Sequence, residues 1–177
     1  PQQFEKGLDL QPVMVNFPET WGSLRKKGVE AAPIGHATYR LRIHFEDLPP
    51  LLGFSLPDFY TAYQLWINGE PFASNGTVGI DKQSTKPYWL HITKPFVARD
   101  FTLELVLQMA NYHHRKGGPS EPIRFGPNPQ IVEEKAIIDH FAYALFGSLV
   151  MCGLFLFGLF LFGQEDKALL YLSLIHI

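Results

Sequence analysis

Ala62-Tyr63-Gln64-Leu65-Trp66-Ile67-Asn68-Gly69-Glu70-Pro71-Phe72-Ala73 is the stretch from which the fold of most of the chain can be read. Tyr63, Leu65 and Ile67 alternate with Gln64, Trp66 and Asn68, the period-two pattern of a strand. Asn68-Gly69 follows at once. A two-residue hairpin turn needs positive φ at both positions, which Asn and Gly tolerate best. Glu70 to Ala73 is then the return strand, and Pro71, which lacks an N–H for the ladder, pushes that strand to a sheet edge.

The same period recurs on both sides. From Ala37 to Phe45, Tyr39, Leu41, Ile43 and Phe45 share one face, with Thr38, Arg40, Arg42 and His44 on the other. Tyr88 to Ile92 and Phe101 to Met109 read as two further strands, with Leu103, Leu105, Leu107 and Met109 aligned. Ile123 to Phe125 reads as a last short one. Pro49-Pro50, Ser74-Asn75-Gly76, Lys116-Gly117-Gly118-Pro119 and Gly126-Pro127-Asn128-Pro129 supply turns. Many short strands without an evident soluble helix predict a mainly β domain over residues 1–131, a jelly-roll (galactose-binding-like) β-sandwich.

Composition breaks sharply after that domain. All 14 Pro fall at or before Pro129, whereas Phe141 to Gly163 holds neither Pro nor charge. The overall mean hydropathy of +0.00 is therefore an average of two unlike segments. At about 1.5 Å per residue the apolar run reaches roughly 35 Å as a helix, against a hydrocarbon core of about 30 Å. It is apolar on every side, so it predicts a transmembrane helix over 141–163 rather than one lying on a surface. Residues 132–140 are the juxtamembrane linker. Ala144, Ser148 and Cys152 recur every fourth residue, a small-residue stripe suited to helix packing in lipid. Lys and Arg are balanced at the two flanks, so the positive-inside rule gives no orientation.

A second apolar stretch opens at Ala168, so residues 164–177 predict a short turn and the start of another helix. Leu172 to Ile177 also resembles the translation of a sequencing-library adapter, and no role is read into His176. No charged n-region and apolar core opens the chain at Pro1, so a signal peptide is expected to be absent or already removed.

A net charge of −2, from 15 Lys+Arg and 17 Asp+Glu, gives no basis for a nucleic-acid partner. One cysteine, Cys152, excludes an intrachain disulfide and a cysteine-rich metal cage. His113-His114 invites a metal reading, but neighbours on an extended chain point to opposite faces, and no H-E-x-x-H pattern supports them. No metal and no cofactor is expected. No catalytic residue can be nominated, because no acid–nucleophile pair, G-x-S-x-G or phosphate-cradling Gly-Lys loop occurs.

Aromatic residues carry more. Trp21, Trp66, Trp89, Tyr60, Tyr63, Tyr88 and Tyr112 are candidates for a stacking platform under a sugar, with core packing as the competing fate. For Trp66, burial against a sheet face and exposure to a ligand are both compatible with the pattern. Asn111 to Lys116 gathers donors and positive charge before a Gly-Gly turn. Asn111, His113, Arg115 and Lys116 could contact an anion or sugar, or knit a strand end to nearby loops.

The frame Pro18-x-x-Trp21, Gly35-His36-Ala37-Thr38-Tyr39-Arg40-Leu41-Arg42 and Ala62 to Gly69 resembles the jelly-roll sugar-binding domain that begins beta-galactosidase-type glycosidases. Thr77-Val78-Gly79, Gln108 to Gly118 and Pro122 to Gly126, followed by an acidic linker and a Phe/Leu/Gly-rich helix, are similar to bacterial seven-transmembrane receptors with diverse intracellular signalling modules. The resemblance spans nearly the whole chain. It implies an extracytoplasmic jelly-roll sensor for a carbohydrate or other small molecule, held in the bacterial inner membrane with its amino-terminal side outward. It also implies signalling through seven helices to a cytoplasmic kinase or cyclase. The chain itself is then not an enzyme, and a homodimer is carried as an expectation for the full-length receptor. The alternative is a membrane-tethered, non-catalytic carbohydrate-binding or cell-envelope interaction module.

Overall fold

A computed structural model describes residues 12–29 and 31–162. The elements, in chain order, are α1 (Trp21–Lys26), β1 (Gly35–His44), β2 (Leu52–Leu56), β3 (Ala62–Ile67), β4 (Glu70–Asn75), β5 (Ile92–Phe96), β6 (Thr102–Asn111), β7 (Arg124–Pro127) and α2 (Asn128–Phe162). Two antiparallel sheets form, one of four strands ordered β1-β6-β3-β4 and one of three ordered β5-β2-β7. The chain divides into two compact units with the boundary after Val132.

The β3–β4 hairpin forms as its sequence dictates. Asn68 and Gly69 are both left-handed, with φ of 48° and 82°. The Asn68 side chain adds a second function, because its Oδ1 accepts the Glu104 N–H at 2.8 Å and so pins the turn to β6. β4 lies at the sheet edge, and the ladder slips one residue near Pro71, between Leu65 and Trp66. A missing N–H is tolerated there because no further strand needs it.

β6 is the central strand. It pairs with β1 over ten residues, from Gly35↔Asn111 to His44↔Thr102, and with β3 on its other side. Its Leu103, Leu105, Leu107 and Met109 enter one hydrophobic cluster with Leu52, Phe54 and Leu56 of β2, so the two sheets share a core. Phe54 is its hub, with ring contacts to Phe72 at 5.3 Å, Phe96 at 6.1 Å and Phe125 at 5.9 Å. On β1, Tyr39, Ile43 and Phe45 pack against this cluster. Leu41 shares their face yet stays 54% exposed, with nothing among the described residues covering it.

Three elements depart from the sequence reading. The strand expected at 88–92 is β5 instead, and only Ile92 belongs to both. Its partner β2 ends at Leu56, directly before Pro57, so Tyr88 to His91 have no ladder to join. β2 itself lacks alternation: four of its five residues are buried, as befits the middle strand of its sheet. Six-residue α1 is too short for a helical period to show. Thr20 caps it, and Trp21 anchors it by donating its backbone N–H to Gly117 O at 2.9 Å and its indole N–H to Tyr39 OH at 2.7 Å.

α2 starts where β7 ends, with Pro129 in the first turn, where its missing N–H costs nothing. That turn rests on β2. A Cβ at Gly53 would lie 2.9 Å from Ile131 Cβ and 3.1 Å from Asn128 Cα, so the hydrogen side chain of Gly53 is what admits the helix. Ile131 is only 6% exposed there. The linker segment 132–140 is helical throughout, reinforced by the Lys135–Asp139 pair one turn apart. Asn128–Leu161 is the one helix among the described residues that is long and apolar enough to cross a membrane. Residues 164–177 and their expected second helix lie outside the described residues.

Replacing Phe54 by Ala should lower stability by about 3–5 kcal/mol. Leu41→Ala should stay within about 0.5 kcal/mol. Denaturant midpoints of the two variants check the contrast.

Candidate functional site

The residues singled out in the sequence fall in separate places. Asn111 is 1% exposed. Its Nδ2 donates to Pro33 O at 2.9 Å and His114 O at 2.6 Å, and its Oδ1 accepts His114 N–H at 3.0 Å. Its amide closes the turn after β6 and ties it to the segment before β1. His113 donates from Nε2 to the Thr85 carbonyl at 3.0 Å, tying that turn to the 77–91 loop. Arg115 and Lys116 are exposed, and no hydrogen bond or ion pair holds either side chain among the described residues. Trp66 lies five residues further back along the ladder, opposite Val106, about 17 Å away at strand rise. It is half-buried on the outer face of the four-stranded sheet, with its indole N–H on Gln108 Oε1 at 3.3 Å.

Of the helix-packing candidates, Ala144, Ser148 and Cys152 are all exposed on α2. Ser148 returns its hydroxyl to Leu145 O at 2.8 Å, the local satisfaction that a hydroxyl in an apolar helix requires.

Burial sorts the aromatic candidates. Trp21 and Tyr63 are core residues. Burial, together with the charge of Asp58, pushes the Tyr63 phenol far above its ordinary pKa. Tyr112 donates to Ile80 O at 2.5 Å and so fastens the 77–91 loop. Tyr60 stacks on His114 at 5.9 Å. Tyr88 and Trp89 alone in this set stand out from the surface without a ring partner among the described residues, 57% and 65% exposed.

The loop that carries them is well tied. Thr77 and Lys86 exchange backbone hydrogen bonds at 2.8 and 3.0 Å. Asp81 Oδ1 accepts Gln83 N–H at 2.9 Å and both the N–H and the hydroxyl of Ser84 at 2.7 Å, which hold its carboxyl below the usual carboxylate range. At the far end, Asn75 Nδ2 donates to Leu90 O at 3.0 Å. The aromatic pair is thus presented from a fixed loop beside the end of β4.

A groove opens along that edge. It has a volume of about 400 Å³ and is lined by Gln64, Pro71, Phe72, Ser74, Ile92 and Lys94. Ser74 adjoins the Asn75 that holds Leu90, and Ile92 is three residues beyond Trp89, so the aromatic pair is close to the groove along the chain, although neither ring lines it. Phe72 and Ile92 enter the groove from β4 and β5, the edge strands of the two sheets. Lys94 donates to Phe72 O at 2.8 Å with its ammonium 4.9 Å from the Phe72 ring centre. Gln64 uses its amide N–H groups on Leu65 O and Ala73 O. Its carbonyl oxygen and the Ser74 hydroxyl have no partner among the described residues. Donors, acceptors and apolar floor suit a polyhydroxylated ring, whose CH faces stack on aromatics while its hydroxyls exchange hydrogen bonds.

No protein-family model matches the chain, and no curated protein matches it.

Sequence reasoning reached Tyr88 and Trp89 only as members of a longer aromatic set. The signal that separates them is the end of β2 at Pro57, which leaves the segment before Ile92 unpaired and on the surface. Asn111→Ala should cost about 1–3 kcal/mol, because it orphans the buried groups that Asn111 serves. Arg115→Ala should cost no more than about 0.5 kcal/mol. Thermal melts of the two variants distinguish a turn-closing residue from a surface cation.

Proposed function

We propose that this chain is the ligand-sensing extracytoplasmic portion and first membrane helix of a bacterial multi-pass signalling receptor. Its β domain is a jelly roll that binds a carbohydrate or other small molecule. The observation that carries the reading is a surface groove on a β domain whose last strand runs directly into a helix of membrane length. The similarity of Gln108 to Gly118 and of the Phe/Leu/Gly-rich helix to seven-transmembrane receptors supports it from the sequence side.

Signalling proceeds by population shift: the ligand favours one of two arrangements of the start of α2, and the helix carries the difference onward. The ligand shifts the balance only by its difference in affinity for the two arrangements. The packing of Ile131 over Gly53 supports this reading, since it places the first turn of α2 against the sheet that also supplies Lys94 and Ile92 to the groove. The β domain faces the periplasm, and α2 crosses the inner membrane as one of several helices.

Calorimetry on the full chain in lipid nanodiscs, with a panel of sugars and small anions, should find a binder that also raises the melting temperature of the β domain. The absence of any binder, together with unchanged signalling after deletion of the β domain from the intact receptor, would sink the sensing claim. Orientation has its own test. In a Cys152→Ser background, a cysteine in place of exposed Ser120 should react with a membrane-impermeant maleimide in cells whose outer membrane is permeabilised. Labelling only after lysis would place the domain in the cytoplasm.

A further inference from the structure

Lys94 is the one ammonium lining the groove, and its position is set rather than free. One of its three N–H donors is committed to Phe72 O, and the Phe72 ring lies beneath the charge. Among the described residues no carboxylate pairs with it. Lys27 and Lys135, by contrast, pair with Glu19 and Asp139. Two donors of a fixed, unneutralised cation therefore remain at the groove wall. The same groove is lined by Gln64 and Ser74, whose carbonyl oxygen and hydroxyl have no partner among the described residues.

From this arrangement we infer that the groove takes an acidic sugar, a uronic-acid unit whose carboxylate meets Lys94 and whose ring lies against the Tyr88–Trp89 side. The inference rests on the carbohydrate-sensing reading given above and names the ligand class within it. A carboxylate carries the single charge that one ammonium, acting as a point charge, balances. A phosphate group carries more charge, and a lysine that binds one is usually joined by arginine forks or a cluster of backbone N–H groups. Neither lines this groove. The remaining lining matches the rest of a sugar: Gln64 Oε1 accepts from a hydroxyl, Ser74 donates or accepts, and Pro71 and Ile92 face the CH groups. Trp89, 65% exposed and without a ring partner among the described residues, has the stacking surface that a pyranose reaching beyond the groove would cover.

The test is calorimetry on the full chain in nanodiscs with two probes of equal length, an oligogalacturonate and a neutral galacto-oligosaccharide. The oligogalacturonate should bind more tightly, with affinity falling as salt is raised. Lys94→Gln should weaken oligogalacturonate about tenfold and abolish most of its preference over the neutral probe. Trp89→Ala should weaken the oligogalacturonate about tenfold or more. Both side chains are exposed, so the variants should keep the parent melting temperature. Equal affinity for the two probes, unaffected by Lys94→Gln, overturns the acidic-sugar assignment and leaves carbohydrate sensing standing. Oligogalacturonate binding that survives both substitutions overturns the groove as its site. Binding of neither probe overturns the inference outright, while the sensing reading then stands or falls on the wider panel and on deletion of the β domain.

Discussion

The ten-residue ladder between β1 and β6 is the constraint on which the other features depend. A strand paired on both sides must satisfy two neighbours with one register, and a slip of one residue would turn its entire core set outward. The β6 register places Leu103, Leu105, Leu107 and Met109 inside. It also places Glu104 where it receives the Asn68 turn on one side and pairs with Arg42 at 2.9 Å on the other. At its end it delivers Asn111 to close the turn that follows. Groove, loop and hairpin all inherit their positions from that strand.

How much of this could be read from residues alone varies with the physics involved. The Asn68-Gly69 turn, β1 and β6 were legible because each rests on a local rule: a conformational requirement for the turn, and alternation for the strands. β4 at an edge followed from the missing N–H of Pro71. β2 was not legible, because a strand covered on both faces does not alternate and Gly53 breaks its apolar run. Tyr88 to His91 has strand-like residues, but a strand exists only with a partner, and Pro57 ends the partner elsewhere in the chain. Period and propensity report what a segment prefers, and pairing is decided at a distance.

The site shows the same division. Asn111, His113, Arg115 and Lys116 form a conspicuous run, yet conspicuous polar runs arise both from ligands and from the demands of a buried turn. Hydrogen-bond partners distinguish these, and Asn111 and His113 serve the turn and the adjoining loop. The groove is assembled from β3, β4 and β5, and the exposed aromatic pair sits on the loop that leads into β5. Gln64, Ser74 and Lys94 are separated in sequence and belong to no motif, so only the paired edges of two sheets reveal their company. Trp66 could not be told from Trp89 by type, and differs from it in having the sheet and Gln108 to lean on.

The seat of Ile131 over Gly53 acts as a detent on the helix that begins there. Successive side chains on a helix are about 100° apart, so turning the first turn of α2 by one residue would lift Ile131 from its seat and offer Gln130 or Val132 instead. Exposing an isoleucine costs about 1.5–3 kcal/mol, which corresponds to a population ratio of roughly ten to more than a hundred between seated and turned states. Under the proposed sensing mechanism, that is small enough for an ordinary ligand to overcome and large enough to keep the resting state defined. A methyl group added to Gly53 would fill the seat and erase the notch, leaving the rotational setting of the helix without a preferred click.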